Sequence, residues 1–282
     1  MFRAPGGTRA RMINYTDRIW RLMDDVVRRV DALSFIDMSR VLVFGRYGRI
    51  GASGAYATCH CLNLPTSEPG YYFWRNRRTG RMTRRSEWFV TKTPRVAVRG
   101  TRIDYLLSFS LPRFCEQSLE RSRKHVHYPG MEPWVAKLDT VVHELYHIDP
   151  EESGLRRVES ADGAGWRCHS PEFFERVAEF VQEYLATRPD PAMYDFLRYD
   201  FAGLQRQFGG VVATTFRNFP SFPQRYPEVL RAQPAIPGSL KVVPLKRASQ
   251  PGRYTHRDLC TREFTEHGCR RLAATSDEDR AA

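Results

Sequence analysis

Lysine is scarce in this chain: five residues, against 39 arginines, make up the 44 positive side chains that outnumber 32 acidic ones for a formal net charge of +12. An arginine surplus arises from a GC-rich genome as readily as from selection for a polyanionic partner. Total charge therefore identifies nothing by itself, and clustering is the better guide. Long apolar runs are also missing. The longest uncharged segment, residues 50–67, is interrupted by Gly, Ser, His and Pro, and it offers nothing like the roughly 18–20 consecutive apolar residues that span a bilayer. The first eleven residues carry positive charge with no apolar stretch behind it, so they do not read as a secretory signal, and the cytoplasm is the expected compartment. No internal repeat is present.

What the chain does have is enough apolar matter for a core. Its 282 residues are 41% hydrophobic and 12% aromatic, which excludes disorder throughout and suits one large domain with an extension, at roughly 100–200 residues per domain. The expected organisation is a mobile leader over 1–12, a domain over 13–216, and a Pro- and Arg-rich extension over 217–282. That extension is read as irregular, because seven prolines fall between Phe219 and Pro251, and as frayed beyond Thr275.

Six cysteines would suggest disulfides in a short secreted chain, but this one is long, and reduced thiols fit better. Cys59-His60-Cys61 and the looser group Cys260, His267 and Cys269 could together hold a structural zinc. A C-x-C spacing is tighter than the usual ligand pair, so ordinary buried thiols are preferred. One arginine cluster stands out: Arg75, Arg77, Arg78, Arg81, Arg84 and Arg85, flanked by Tyr71, Tyr72, Phe73 and Trp74 before it and by Trp88 and Phe89 after it. The preferred reading is a solvated β-hairpin turning at Thr79-Gly80, its aromatics packed inward. The alternative is a DNA or RNA contact in which aromatics stack on bases and guanidiniums bind phosphate.

Apolar periodicity predicts a helix over 15–33 and a strand over 41–44, then a loop-rich stretch over 45–70 with a strand near 56–62. Strands are expected over 95–98 and 103–111, the latter as an exposed edge, and further helices over 133–148, 170–186 and 191–208. Ser170-Pro171-Glu172 is a strong helix opening: a serine cap, proline in the first turn and an acid against the dipole.

The informative segment is His143-Glu144-Leu145-Tyr146-His147, an HExxH motif. Four residues make just over one helical turn, so both imidazoles project from one side and can bind one ion. Glu144 is offset from them and can take a proton from metal-bound water. With eight histidines in the chain, the motif is expected by chance on the order of once in a hundred such sequences. On a helical wheel, Val135, Leu138, Val141, Val142, Leu145 and Ile148 gather on one face, with Thr140, His143 and His147 opposite. The metzincin continuation is absent, since Ile148-Asp149-Pro150-Glu151 follows. His169, just before the capped helix, is the favoured third ligand. Cys168, Glu159, Glu172 and Glu175 are the alternatives, although the last two already have a role complementing the helix dipole.

The run 143–148, together with Cys168-His169-Ser170-Pro171-Glu172-Phe173 opening a helix, resembles the phage metallopeptidase domain, a group similar to the SprT-like zinc peptidases, which are HExxH zincins. The resemblance spans roughly residues 13–190. It implies an α+β zincin-like minidomain, a small and mostly antiparallel sheet packed on the HExxH helix and its flanking helices. It also implies one catalytic Zn2+ on His143, His147 and His169, and Glu144 as general base in hydrolysing a protein or peptide substrate. Ser170 stands where that group usually has Gly, and no paired CxxC ribbon follows. For the oxyanion donor that such chemistry requires, His125, His127 and Tyr128 are the candidates, and strand 103–111 could hold an extended substrate by β-addition.

Overall fold

The computed structural model describes residues 12–63, 72–75, 82–86, 89–91, 94–151, 154–159, 166–167, 169–217, 225–227 and 252–272. The chain opens with β1 (Ile13–Asn14) and α1 (Tyr15–Arg29), followed by β2 (Val41–Gly48), β3 (Ala57–Cys61), β4 (Tyr72–Arg75), β5 (Met82–Ser86) and β6 (Phe89–Thr91). A hairpin of β7 (Arg95–Val98) and β8 (Thr101–Ile103) leads into β9 (Tyr105–Pro112) and α2 (Val135–Tyr146). Next come β10 (Val158–Glu159), β11 (Trp166–Arg167), α3 (Pro171–Ala186) and α4 (Phe201–Phe208). The remaining strands are β12 (Val211–Phe216), β13 (Arg225–Pro227), β14 (Arg253–Thr255), β15 (Leu259–Thr265) and β16 (Gly268–Arg271). Four α-helices and several small sheets make the fold α+β.

Three strands in the order β2-β9-β3 form the centre, with β2 parallel and β3 antiparallel to β9. All eight residues of β9 are buried. Strand 103–111 was expected at an edge and is instead central. Tyr105, Leu106, Leu107, Phe109 and Leu111 supply apolar side chains to both faces, the pattern of a strand covered on two sides rather than one. Its start also moves, because Asp104 separates β8 from β9. The buried Asp104 carboxylate pairs with Arg40 and Arg102, while its N–H donates to the Arg40 carbonyl at 2.9 Å.

One face of this sheet receives the helices. Asn14 caps α1 by accepting from the Asp17 N–H at 3.2 Å, and Ile19, Leu22, Met23, Val26 and Val27 form its buried stripe, each contributing roughly 1.5–3 kcal/mol when fully buried. Leu138, Val141, Val142 and Leu145 do the same for α2. The other face carries Phe44 and Leu106, packed against Val96, Ile103 and Phe216.

Two further expectations change. The helix read over 191–208 is two short 3-10 turns, Pro191–Met193 and Asp195–Arg198, followed by α4. Asp190 and Asp200 each accept a backbone N–H two or three residues on, and such local bonds restart the chain instead of continuing one helix. Nor is the segment beyond 217 irregular throughout. β15 pairs antiparallel with all of β12, and β14 pairs parallel with β7. Phe264 of β15 is fully buried, and near it Gly45 lets β12 approach β2: a Cβ there would lie 2.9 Å from the Ala213 Cβ.

Candidate metal centre

Helix α2 ends at the site. His143 lies in its last turn and His147 is its C-cap, while His169 immediately precedes Ser170, whose side chain accepts the Phe173 N–H at 3.3 Å to cap α3. Both helices are anchored by apolar stripes, and the start of α3 sets His169 beside the end of α2. The three Nε2 atoms form a triangle with sides of 3.2 Å (143 to 169), 3.1 Å (143 to 147) and 3.0 Å (147 to 169). A tetrahedral ion about 2.0–2.1 Å from each nitrogen requires separations of about 3.3–3.4 Å, within a few tenths of an ångström of those observed. Three imidazole nitrogens at such a spacing cannot all be protonated, and in the tautomers that carry the proton on Nδ1 the triangle presents three lone pairs to one point. His143, His147 and His169 are thus a cluster that can hold a metal ion.

The surroundings favour the neutral form. Burial, reinforced by the neighbouring His169, drives His147 down to about 3. Burial, then His147, Lys124 and His169, holds His143 well below the usual imidazole range, and burial lowers His169. Phe173 packs 4.8–5.5 Å from all three rings, while Phe174, 37% exposed, stacks beside His143 and His169 at the mouth. The Nδ1 atoms of His143 and His147 are buried with no hydrogen-bond partner among the described residues, a departure from the usual outer acceptor.

Glu144 lines the same cleft, which has a volume of about 470 Å3. Burial pushes its carboxyl up to about 8 against the opposing pull of Lys124, the Cys59 backbone N–H and Arg46. Its Oε2 makes no hydrogen bond among the described residues. Strand β3 forms one wall. Arg113 fixes the approach to β3 by donating to the carbonyls of Ala52 (3.3 Å), Ser53 (2.8 Å) and Ala55 (2.5 Å). On the other side, Lys124 Nζ donates to Thr140 Oγ1 at 2.6 Å and pairs with Asp139, and Thr140 donates to Gln117 Oε1 at 2.9 Å.

That polar wall replaces the three donors expected upstream of α2. Tyr128 is 2% exposed and its hydroxyl donates to Asp139 at 2.7 Å, the His125 ring bonds the Ser122 carbonyl at 2.8 Å, and neither these nor His127 lines the cleft. Sequence reasoning passed over Lys124 and Gln117. The available signal was a lysine, in a chain with five, preceding a helix whose buried face carries Asp139.

Of the alternative ligands, Glu159, Glu172 and Glu175 stay outside the histidine cluster, and Cys168 lies outside the described residues. Cys59 and Cys61 point into the core from β3, whereas Cys260 and Cys269 flank Arg262 in the β12-β15-β16 sheet. The structure therefore does not bring these cysteines together as one site. Of the expected arginine hairpin, β4 and β5 pair antiparallel, with Phe73 opposite Arg85 and Trp74 opposite Arg84, and the turn at Thr79-Gly80 lies outside the described residues. Arg77, Arg78 and Arg81, and the side chains of Arg75, Arg84 and Arg85, lie outside the described residues. Among the described residues no helix is long and apolar enough to cross a membrane. Comparison with family models, curated proteins and solved structures finds no match to this chain.

Proposed function

We propose that the protein is a zinc-dependent metallopeptidase. The observation that carries this reading is the convergence of three Nε2 atoms and a buried carboxyl with an unbonded oxygen in one cleft walled by a strand. His143, His147 and His169 would hold the zinc, which would supply an activated water with a pKa toward about 7 and polarise a carbonyl. The chain supplies the rest. Glu144, ionised when a cation is held beside it, accepts a proton at Oε2 and returns it to the departing amine. Strand β3 walls the cleft and pairs with no strand but β9 among the described residues, so an extended peptide can lie along it, the role expected of strand 103–111, with the Cys59 N–H kept by Glu144. Phe174 and Tyr56, each 37% exposed, offer apolar surface to the side chains of that peptide.

The test is metal analysis of purified protein alongside cleavage of a denatured substrate. About one zinc per chain is expected, lost on His147→Ala. Glu144→Gln should retain the metal and lose activity by roughly 100-fold or more. Protein that folds and binds no zinc would end this reading.

A further inference from the structure

Residues 94–103 and 252–257 contain five arginines and no acidic residue. They build the sheet β14-β7-β8, and its register sorts them. Arg253 lies beside Arg95, and Thr255 and Arg102 both lie beside Ala97. Side chains that are lateral neighbours share a face, so Arg95, Arg102, Arg253, Ala97 and Thr255 point one way. Val96, Val98, Ile103 and Tyr254 point the other way, into the cluster with Phe44, Leu106 and Phe216. The outer face is exposed at all three arginines. With strands about 4.8 Å apart and about 3.3 Å per residue, it is a rigid grid of guanidiniums.

Among the described residues few of these charges are neutralised. Arg102 pairs with Asp104, which also serves Arg40. The side chains of Arg95, Arg99, Arg253 and Arg257 make no ion pair or hydrogen bond among the described residues, and Asp258 is spent on capping Thr255. Arg99 adds an independent observation. It holds φ 51 beside Gly100 at φ 84, in the two-residue turn joining β7 to β8. Asn or Gly fills that place without strain, and this chain instead holds one of the five arginines there, exposed at the end of the sheet.

We propose that this outer face docks the phosphate backbone of duplex nucleic acid, independently of sequence. Guanidiniums match phosphate in forked pairs, and a duplex presents a charge about every 1.7 Å of its axis. Among the described residues no aromatic side chain shares the face, so it contacts phosphates and not bases. The surface lies opposite the helices. It covers the Phe44 and Leu106 side of the central sheet, whereas α2 packs on the Leu107 side, which leaves the metal cleft open while a duplex is bound. The inference stands whether or not the cleft is a peptidase.

The experiment is binding of a fluorescent duplex of about 25 base pairs across a salt series. Wild type is compared with the triple variant Arg95→Glu, Arg99→Glu, Arg253→Glu, and with a control of equal charge, Arg18→Glu, Arg188→Glu, Arg206→Glu, at exposed sites elsewhere. The sheet variant should bind at least about tenfold more weakly at low salt, with a salt slope shallower by about 3, one per lost phosphate contact. The control should retain most of the affinity. Unchanged metal content and melting temperature confirm that both variants fold. Equal loss in the two triples would overturn the proposal, as would wild-type binding that is undetectable at low salt, or binding to anionic vesicles in place of the duplex.

Discussion

Replacing Glu144 by Gln should abolish catalysis and stabilise the metal-free protein. Burial raises the Glu144 carboxyl from 4.5 to about 8, so the folded state prefers it protonated, while the unfolded chain ionises it freely above 4.5. The folded protein is therefore penalised at every pH above 4.5, increasingly up to about 8, and recovers as pH falls. At pH 7 the gap spans roughly 2.5 pH units at about 1.4 kcal/mol each, a penalty on the order of 3 kcal/mol. Glutamine has the same shape and no proton to lose. In thermal unfolding after chelation, Glu144→Gln should melt about 5–10 °C higher than wild type at pH 7. The difference should widen at pH 8 and vanish near pH 4.5. A variant that is less stable than wild type at pH 7, or a difference independent of pH, would refute the argument that this carboxyl is held against its own desolvation. The result would also place Glu144 among residues whose chemistry opposes stability.

The histidines move the opposite way with pH. With a folded value near 3 for His147 against 6.5 in the unfolded chain, the neutral ring contributes stability above pH 6.5 that is lost as pH falls. In the metal-free Glu144→Gln background, about 2 kcal/mol should disappear between pH 6.5 and 5 from His147 alone, read by urea unfolding. Removing the α3 cap with Ser170→Ala should cost about 1 kcal/mol. Because His169 is the preceding residue, it should also weaken zinc retention against a chelator, more than a cap removed from α1 by Asn14→Ala. Equal retention in the two variants would show that the cap does not position the ligand.

How much of this was legible depends on whether the signal is local. The wheel of α2 placed His143 and His147 opposite Leu138, Val142 and Leu145, and those leucines and valines are fully buried. Ser170-Pro171 marked the start of α3, since cap and first-turn preferences act over three residues. Strand β9 was also recognisable as a strand, but its neighbours were not: segments tens of residues long separate it from both β2 and β3, and no local pattern states which edge is covered. The pairing of β15 with β12 was hidden for the same reason, behind the prolines that precede it.

The cleft shows the same division more sharply. Both the metal ligands and the acid lie on two helix termini, so spacing revealed them. The wall facing them is assembled from Gln117, Lys124 and Thr140, drawn from three separate segments and linked by hydrogen bonds that no sequence pattern encodes. Lys124 could not stay on that wall alone, since its ammonium is largely buried and requires Asp139, and Asp139 in turn holds the Tyr128 hydroxyl. The tyrosine expected to face a substrate thus turns inward to complete the pairing that keeps a lysine facing the cleft.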